Sequence, residues 1–186
     1  MSLMDSTMLP LATPAPDFEL PDTVSGATLS FDDVAGEYAT VVMFLCNHCP
    51  YVIHIADELA CVAAHYRKRG VGFVAISAND VAERPEDGPT AMADFAREHN
   101  FGFAYLYDES QAIARAYNAA CTPDLFVFDA RRLCAYRGQF DDARPGNDIP
   151  VTGADLRAAL DFLILGRVPP PNDQKPAQGC SIKWKA

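Results

Sequence analysis

The apolar residues of the chain fall into two kinds of run. Val41-Val42-Met43-Phe44-Leu45 and Val71 to Ser77 are short and apolar between polar flanks, the pattern of strands buried on both faces. Between them Val52, Ile55, Leu59 and Val62 recur at three- and four-residue steps, which predicts a helix over about 47–69, ended by Gly70. Pro89 to Asn100 reads as a second helix and Phe103 to Tyr107 as a strand. Ser110 to Tyr117 reads as a short helix with Ser110 as its cap. Leu125 to Phe128 and Cys134 to Phe140 read as strands joined by a turn at Asp129 to Leu133, and Thr152 as the cap of a last helix, Ala154 to Leu165. At the front, Pro14 to Asp22 is extended and Thr28-Leu29-Ser30-Phe31 reads as a strand reached through the Ser25-Gly26 turn. Alternating strands and helices predict an α/β fold whose sheet is parallel at first and antiparallel at its end.

At 186 residues the chain is long enough for one domain with its own core. The expected division is an N-terminal extension or tag over 1–13, a domain over 14–165 and a tail over 166–186. Met1-Ser2-Leu3 ahead of Met4 reads as the tag. The net charge of −10 makes nucleic acid and anionic membrane poor partners. No apolar run is long enough to span a bilayer, and no basic stretch leads into an apolar one at the N-terminus. A cytoplasmic location is the expectation. The tail differs from the body. It holds Pro169, Pro170, Pro171 and Pro176, and its four cations against Asp173 give it +3, leaving −13 elsewhere. Either it is a flexible extension, or it docks through charge and the single tryptophan, Trp184.

Six cysteines are too sparse for a disulfide framework. Two of them stand in Cys46-Asn47-His48-Cys49-Pro50, between a buried strand and a helix. A sulfur at a helix N-terminus meets unpaired N–H groups and the positive end of the dipole, which favour thiolate. Three residues is slightly less than a helical turn, so the two sulfurs can form a disulfide. Cys46 is expected to be the more exposed, low-pKa attacking thiol and Cys49 the deeper, resolving one. A charged His48 would favour the Cys46 thiolate further. Zinc would need two more ligands; no second such pair exists, and Cys121, Cys134 and Cys180 stand alone, with His48 and His54 available. No bound cofactor or metal is needed for the redox reading. Cys61 and Cys134 read as core residues, and Asn79 to Asp87 as a solvated acidic loop; the Asp141 to Asp148 loop is a surface turn that could wall the site beside Pro123.

Cys121-Thr122-Pro123-Asp124 precedes the strand at Leu125, a legal place for proline and a possible cis bond. With Ala15-Pro16-Asp17-Phe18, the strand–Cys-x-x-Cys–helix unit and Gly138-Gln139-Phe140, this resembles the thioredoxin superfamily over about residues 14–165. The branch is that of alkyl hydroperoxide reductase and thiol-specific antioxidant. The tail Gly179-Cys180-Ser181-Ile182-Lys183-Trp184 resembles a subgroup with the same Cys-Asn-His-Cys-Pro centre. The resemblance implies a thioredoxin core of central mixed sheet flanked by helices, with an added N-terminal hairpin and an insertion after the first βαβ step. It implies a cis Pro123 packed on the active sulfurs, and a Thr122 backbone that pairs with substrate. Leu45 stands where thioredoxin has Trp, and Thr40 where it has the Asp that serves the resolving thiol.

These readings imply a thiol–disulfide oxidoreductase with Cys46, His48, Cys49, Thr122 and Pro123 at its centre and Cys121 and Cys180 as accessory thiols. Its partners are a disulfide-containing protein or small molecule and a protein that recycles it. The alternative is a peroxiredoxin-like peroxidase, which the chain's spacing does not support. The Pro-x-x-x-Thr/Ser-x-x-Cys pattern fails at Met43 and Ala39 for Cys46, and at Cys46 and Val42 for Cys49. A copper-chaperone module is the lesser alternative: the cysteine spacing is one short, and the only late histidine is His99.

Overall fold

The computed structural model describes residues 3–185. Its centre is a five-stranded mixed sheet made of β4 (Ala39–Phe44), β5 (Val71–Ser77), β6 (Ala104–Tyr107), β8 (Asp124–Asp129) and β9 (Cys134–Gly138). The order is β6-β5-β4-β8-β9, with β4, β5 and β6 parallel and β8 and β9 antiparallel to their neighbours. β4 is central and buried at all six positions, which explains its unbroken apolar run. Alternate residues serve opposite faces. Val41 and Met43 pack under α2 (Pro50–Arg67) and α5 (Ala154–Ile164). Val42 and Phe44 face an aromatic layer in which Phe44 meets Phe126 edge-on at 5.9 Å and Tyr117 at 5.5 Å. Truncating a ring buried this way typically costs about 3–5 kcal/mol.

Several boundaries differ from the sequence reading. Residues 28–31 are not one strand. β3 (Thr28–Ser30) pairs with β2 (Glu19–Pro21), and Phe31 opens a one-turn helix, α1 (Phe31–Val34). Ser30 caps it, and Asp33 closes the reciprocal capping box. α2 starts at Pro50, not near 47, with Cys49 as its N-cap and Pro50 in the first turn. Thr152 does not cap α5. The buried Asp141 instead accepts the Thr152 and Gly153 N–H groups, both at 2.7 Å. α4 (Ala112–Ala116) begins after Gln111, with the Ser110 hydroxyl accepting from Ala112 N–H at 3.2 Å. α3 (Pro89–Glu98) joins β5 to β6. Cys134 is buried, whereas Cys61 is exposed on α2, contrary to the core role expected of it.

The tail is docked. β10 (Gln178–Ser181) lies between β1 (Leu3–Asp5) and β7 (Cys121–Thr122), antiparallel to both. Beyond it Lys183 N–H donates to Asn79 Oδ1 at 2.8 Å, and Gln111 bonds the backbone of both Lys183 and Lys185. Trp184 is held by Arg115, whose guanidinium sits 4.4 Å from the indole centroid. Charge contributes at Lys175, which pairs with Asp142 at 2.8 Å.

Candidate active site

The site forms where β4 ends, α2 begins and the loop from β7 into β8 crosses above. Burial on both sides fixes β4, and Leu45 N–H extends its pairing by donating to Ile76 O at 3.0 Å. The chain then turns through Cys46-Asn47-His48 to the Cys49 N-cap. Thr122 covers both sulfurs: its hydroxyl is 3.1 Å from Cys46 Sγ, and its carbonyl oxygen is 3.1 Å from Cys49 Sγ. The Thr122–Pro123 peptide is cis. A shallow cleft beside Pro123 is lined by Tyr51, Gln139, Phe140, Arg144 and Gln178.

Cys46 is not the more exposed sulfur; both cysteines are 0% exposed. The two thiols titrate together: the contact with Cys46 draws Cys49 down to about 5, and the Cys180 sulfur beside it lowers it further against the opposing effect of burial. Val52 lies in the first turn of α2, but its N–H donates to the Cys49 carbonyl at 3.0 Å, and the Cys49 side chain makes no cap hydrogen bond. Cys46 is pushed well above its ordinary value by the same contact with Cys49, by burial and by the charge of Asp87.

The Asp87 influence was not legible in the sequence. This residue belongs to a 3-10 turn, Pro85–Asp87, and is fully buried, not part of a solvated loop. Its Oδ1 accepts Asn47 N–H at 2.8 Å and His48 N–H at 3.3 Å. Its Oδ2 accepts Asn79 Nδ2 at 2.8 Å and sits 2.6 Å from His48 Nδ1. The His48 ring is thus turned to Asp87. Asn47 is fixed as well, with Nδ2 on Glu86 O and Oδ1 accepting from Tyr105 Oη. One carboxylate organises the backbone between the two cysteines. A single acidic residue among several in a Pro/Gly-rich loop carries no signal for that.

The remaining expected residues divide. Cys180 is brought in, its Sγ 2.9 Å from Cys49 Sγ. Cys121 is buried beside Thr122, but its thiol is directed to Pro123 O at 3.7 Å and Ala177 O at 4.0 Å. Thr40 accepts Gly36 N–H at 3.1 Å and serves the opposite end of β4. Donor atoms of Cys46, His48 and Asp87 lie within 4.8 Å of one another, a spacing a metal ion could bridge. The Asp87 oxygens, however, are already committed to four nitrogen partners.

Known structures share this architecture. An uncharacterized conserved protein from Geobacillus kaustophilus is 51% identical, with a TM-score of 0.97 over 100% of this chain and 97% of that one. A secreted Mycobacterium tuberculosis disulfide oxidoreductase homologous to E. coli DsbE is 26% identical, with a TM-score of 0.53 over 63% of this chain and 79% of that one. Peroxidoxin BcpB from Mycobacterium tuberculosis is 19% identical, with a TM-score of 0.56 over 67% and 82% of the two chains, a likeness of fold alone. A comparison with curated proteins gave no significant match. The AhpC/TSA family profile matches residues 11–137. With its thioredoxin-like mixed sheet and the cysteine pair at the end of its central strand, this chain belongs to the AhpC/TSA family.

Proposed function

We propose that the protein is a thiol–disulfide oxidoreductase whose redox couple is Cys46–Cys49. The observation that carries this reading is the placement of the pair: two buried sulfurs stand between β4 and the start of α2, and Thr122 of the cis-proline loop contacts both, its hydroxyl 3.1 Å from Cys46 Sγ and its carbonyl oxygen 3.1 Å from Cys49 Sγ. Two thiols this close can pass between dithiol and disulfide, with the thiolate as the attacking form.

The roles follow from what covers each sulfur. Cys49 lies beneath β10 and against Cys180, so an incoming disulfide meets Cys46, beside the half-buried Asn47 and His48. Cys46 passes its proton along the hydrogen bond to Cys49 and attacks one sulfur of the substrate. A Cys46–substrate bond forms, the substrate S–S bond breaks, and the second substrate sulfur leaves as thiolate. Cys49 then gives that proton to the released substrate thiolate and attacks Cys46 Sγ. The first substrate sulfur leaves, and two electrons have moved from the pair to the substrate. The reverse order oxidises a dithiol by the same steps. Thr122 contacts both sulfurs and orients them.

The test is trapping. Cys49→Ala removes the resolving thiolate and should accumulate mixed disulfides with a small aromatic disulfide or a disulfide-bonded peptide, whereas Cys46→Ala should accumulate none. Equal trapping by both variants contradicts the roles. Rapid oxidation of Cys46 by hydrogen peroxide would favour a peroxidase instead.

A further inference from the structure

We propose that Cys180 is a third redox thiol that exchanges with Cys49, so that β10 acts as a tethered substrate of the Cys46–Cys49 pair. This rests on the redox reading of that pair. The geometry is built from both sides. β10 adds an antiparallel strand to the β7 edge at the cis-proline loop, with Cys180 opposite Thr122 and Ser181 opposite Cys121. That edge is where an extended segment can be bound through its backbone. The register puts Cys180 Sγ 2.9 Å from Cys49 Sγ, under the same Thr122 carbonyl that lies 3.1 Å from Cys49 Sγ. Gly179 permits the approach, because a Cβ there would stand 2.0 Å from Thr122 O and 3.2 Å from Pro123 Cδ.

The tail is anchored on each side of Cys180, so this thiol is positioned and not merely nearby. Upstream, Ala177 and Ser6 exchange hydrogen bonds, with Ala177 N–H on Ser6 Oγ at 2.9 Å and Ser6 N–H on Ala177 O at 2.8 Å. Downstream, Ile182 N–H donates to Ala120 O at 3.1 Å, and Lys183 bonds Asn79, which in turn bonds Asp87. A cysteine that only fills space needs none of this; its sulfur would face carbon, as a small apolar residue does.

The exchange balances without an outside oxidant. From the Cys46–Cys49 disulfide, Cys180 attacks Cys49 Sγ. A Cys49–Cys180 bond forms, the Cys46–Cys49 bond breaks, and Cys46 leaves as thiolate and takes the proton Cys180 gave up. In the reduced protein burial raises the Cys180 thiol to about 12, and the Cys49 thiolate adds to that. Once Cys49 is in a disulfide its contribution is gone, so Cys180 becomes a better nucleophile in the state where it is needed. The result is a free Cys46 with the oxidising equivalent stored at Cys49–Cys180, and the C-terminal strand covalently tied to α2.

The experiment uses the full chain oxidised with diamide, quenched in acid, alkylated after unfolding and mapped by peptide mass spectrometry. Cys46→Ser and Cys46→Ala should each lose two alkylatable thiols and yield an intramolecular Cys49–Cys180 disulfide, the alanine variant guarding against an effect of the new hydroxyl. Wild type should yield both Cys46–Cys49 and Cys49–Cys180, and Cys180→Ser only Cys46–Cys49. If Cys180→Ser forms Cys46–Cys49 but both Cys46 variants, folded by circular dichroism, keep Cys49 and Cys180 fully alkylatable, the third-thiol proposal is overturned while the redox pair stands. If Cys180→Ser forms no Cys46–Cys49 disulfide, the redox reading itself fails.

Discussion

Asp87 Oδ2 sits 2.6 Å from His48 Nδ1, joining a buried loop carboxylate to one of the two residues between Cys46 and Cys49. The same carboxylate holds the Asn47 and His48 N–H groups and the Asn79 amide, so its removal strands several buried donors at once. Asp87→Asn keeps the size but replaces one acceptor oxygen with a donor. Bonds to a charged acceptor are worth roughly 1.5–3 kcal/mol each, so a loss of about 3 kcal/mol in denaturant unfolding is expected. The Cys46 thiol should also titrate lower, because the charge of Asp87 helps keep it up. A variant as stable as the parent would show that Asp87 does not organise the loop.

The thiolate of the reduced protein should belong to Cys49. Ultraviolet thiolate absorbance should show a group titrating near 5. Cys49→Ser should abolish that step. Cys46→Ser should move it upward, because the bond from Cys46 is the largest lowering cause. A step that survives in Cys49→Ser assigns the thiolate to Cys46.

Asp124 sets a pH dependence of stability. It is 0% exposed, with Oδ2 accepting Ala120 N–H at 3.3 Å and Oδ1 meeting no polar partner among the described residues. Burial raises its carboxyl from 3.8 to about 7. The folded state therefore binds an extra proton between those values. The resulting stabilisation is complete below the lower value and is lost as pH rises through the upper one. Asp124→Asn should remove the decline and exceed the parent by a few kcal/mol at about pH 8, since each unit is worth about 1.4 kcal/mol. Parallel pH profiles for parent and variant would show that Asp124 is not the group responsible.

Gly179→Ala should release the tail. The added Cβ meets a backbone oxygen, which has nowhere to go. Trp184 is the single tryptophan and is stacked under Arg115, so its fluorescence reports docking directly. The variant's emission should shift to the red, toward that of free tryptophan. Unchanged emission would mean that the strand tolerates the methyl group and that β10 is looser than its contacts indicate.

What the sequence carries is what local chemistry determines. The buried run of β4, the periodic face of α2 and the motif at their junction all lie within a short stretch, so their joint meaning could be read. Thr122-Pro123 was legible for the same reason, as a proline at a strand start. The helix start was misplaced by three residues because the apolar period was extended past Pro50, although proline at the first helical position marks the boundary. Residues 28–31 alternate like a strand, and the Ser30-x-x-Asp33 capping box that marks α1 was outweighed. Asp87 and Cys180 belong to another class. Their roles arise from contacts across 39 and 131 residues, and neither carries a local pattern that reveals its partner. The exposure order of Cys46 and Cys49 also depends on what covers them, the Thr122 loop and β10, neither of which is part of the motif.

The central claim is that Cys46 and Cys49 form one two-electron couple, and a redox titration measures it directly. The Cys180→Ser protein, equilibrated with glutathione buffers and mapped by differential alkylation, isolates that couple. The account predicts that the Cys46 and Cys49 peptides lose and regain their thiols together, with a single midpoint between about −270 and −120 mV, the span of thioredoxin-like reductants and oxidants. Two cysteines that remain reduced across that whole span, or that react independently of each other, would contradict it.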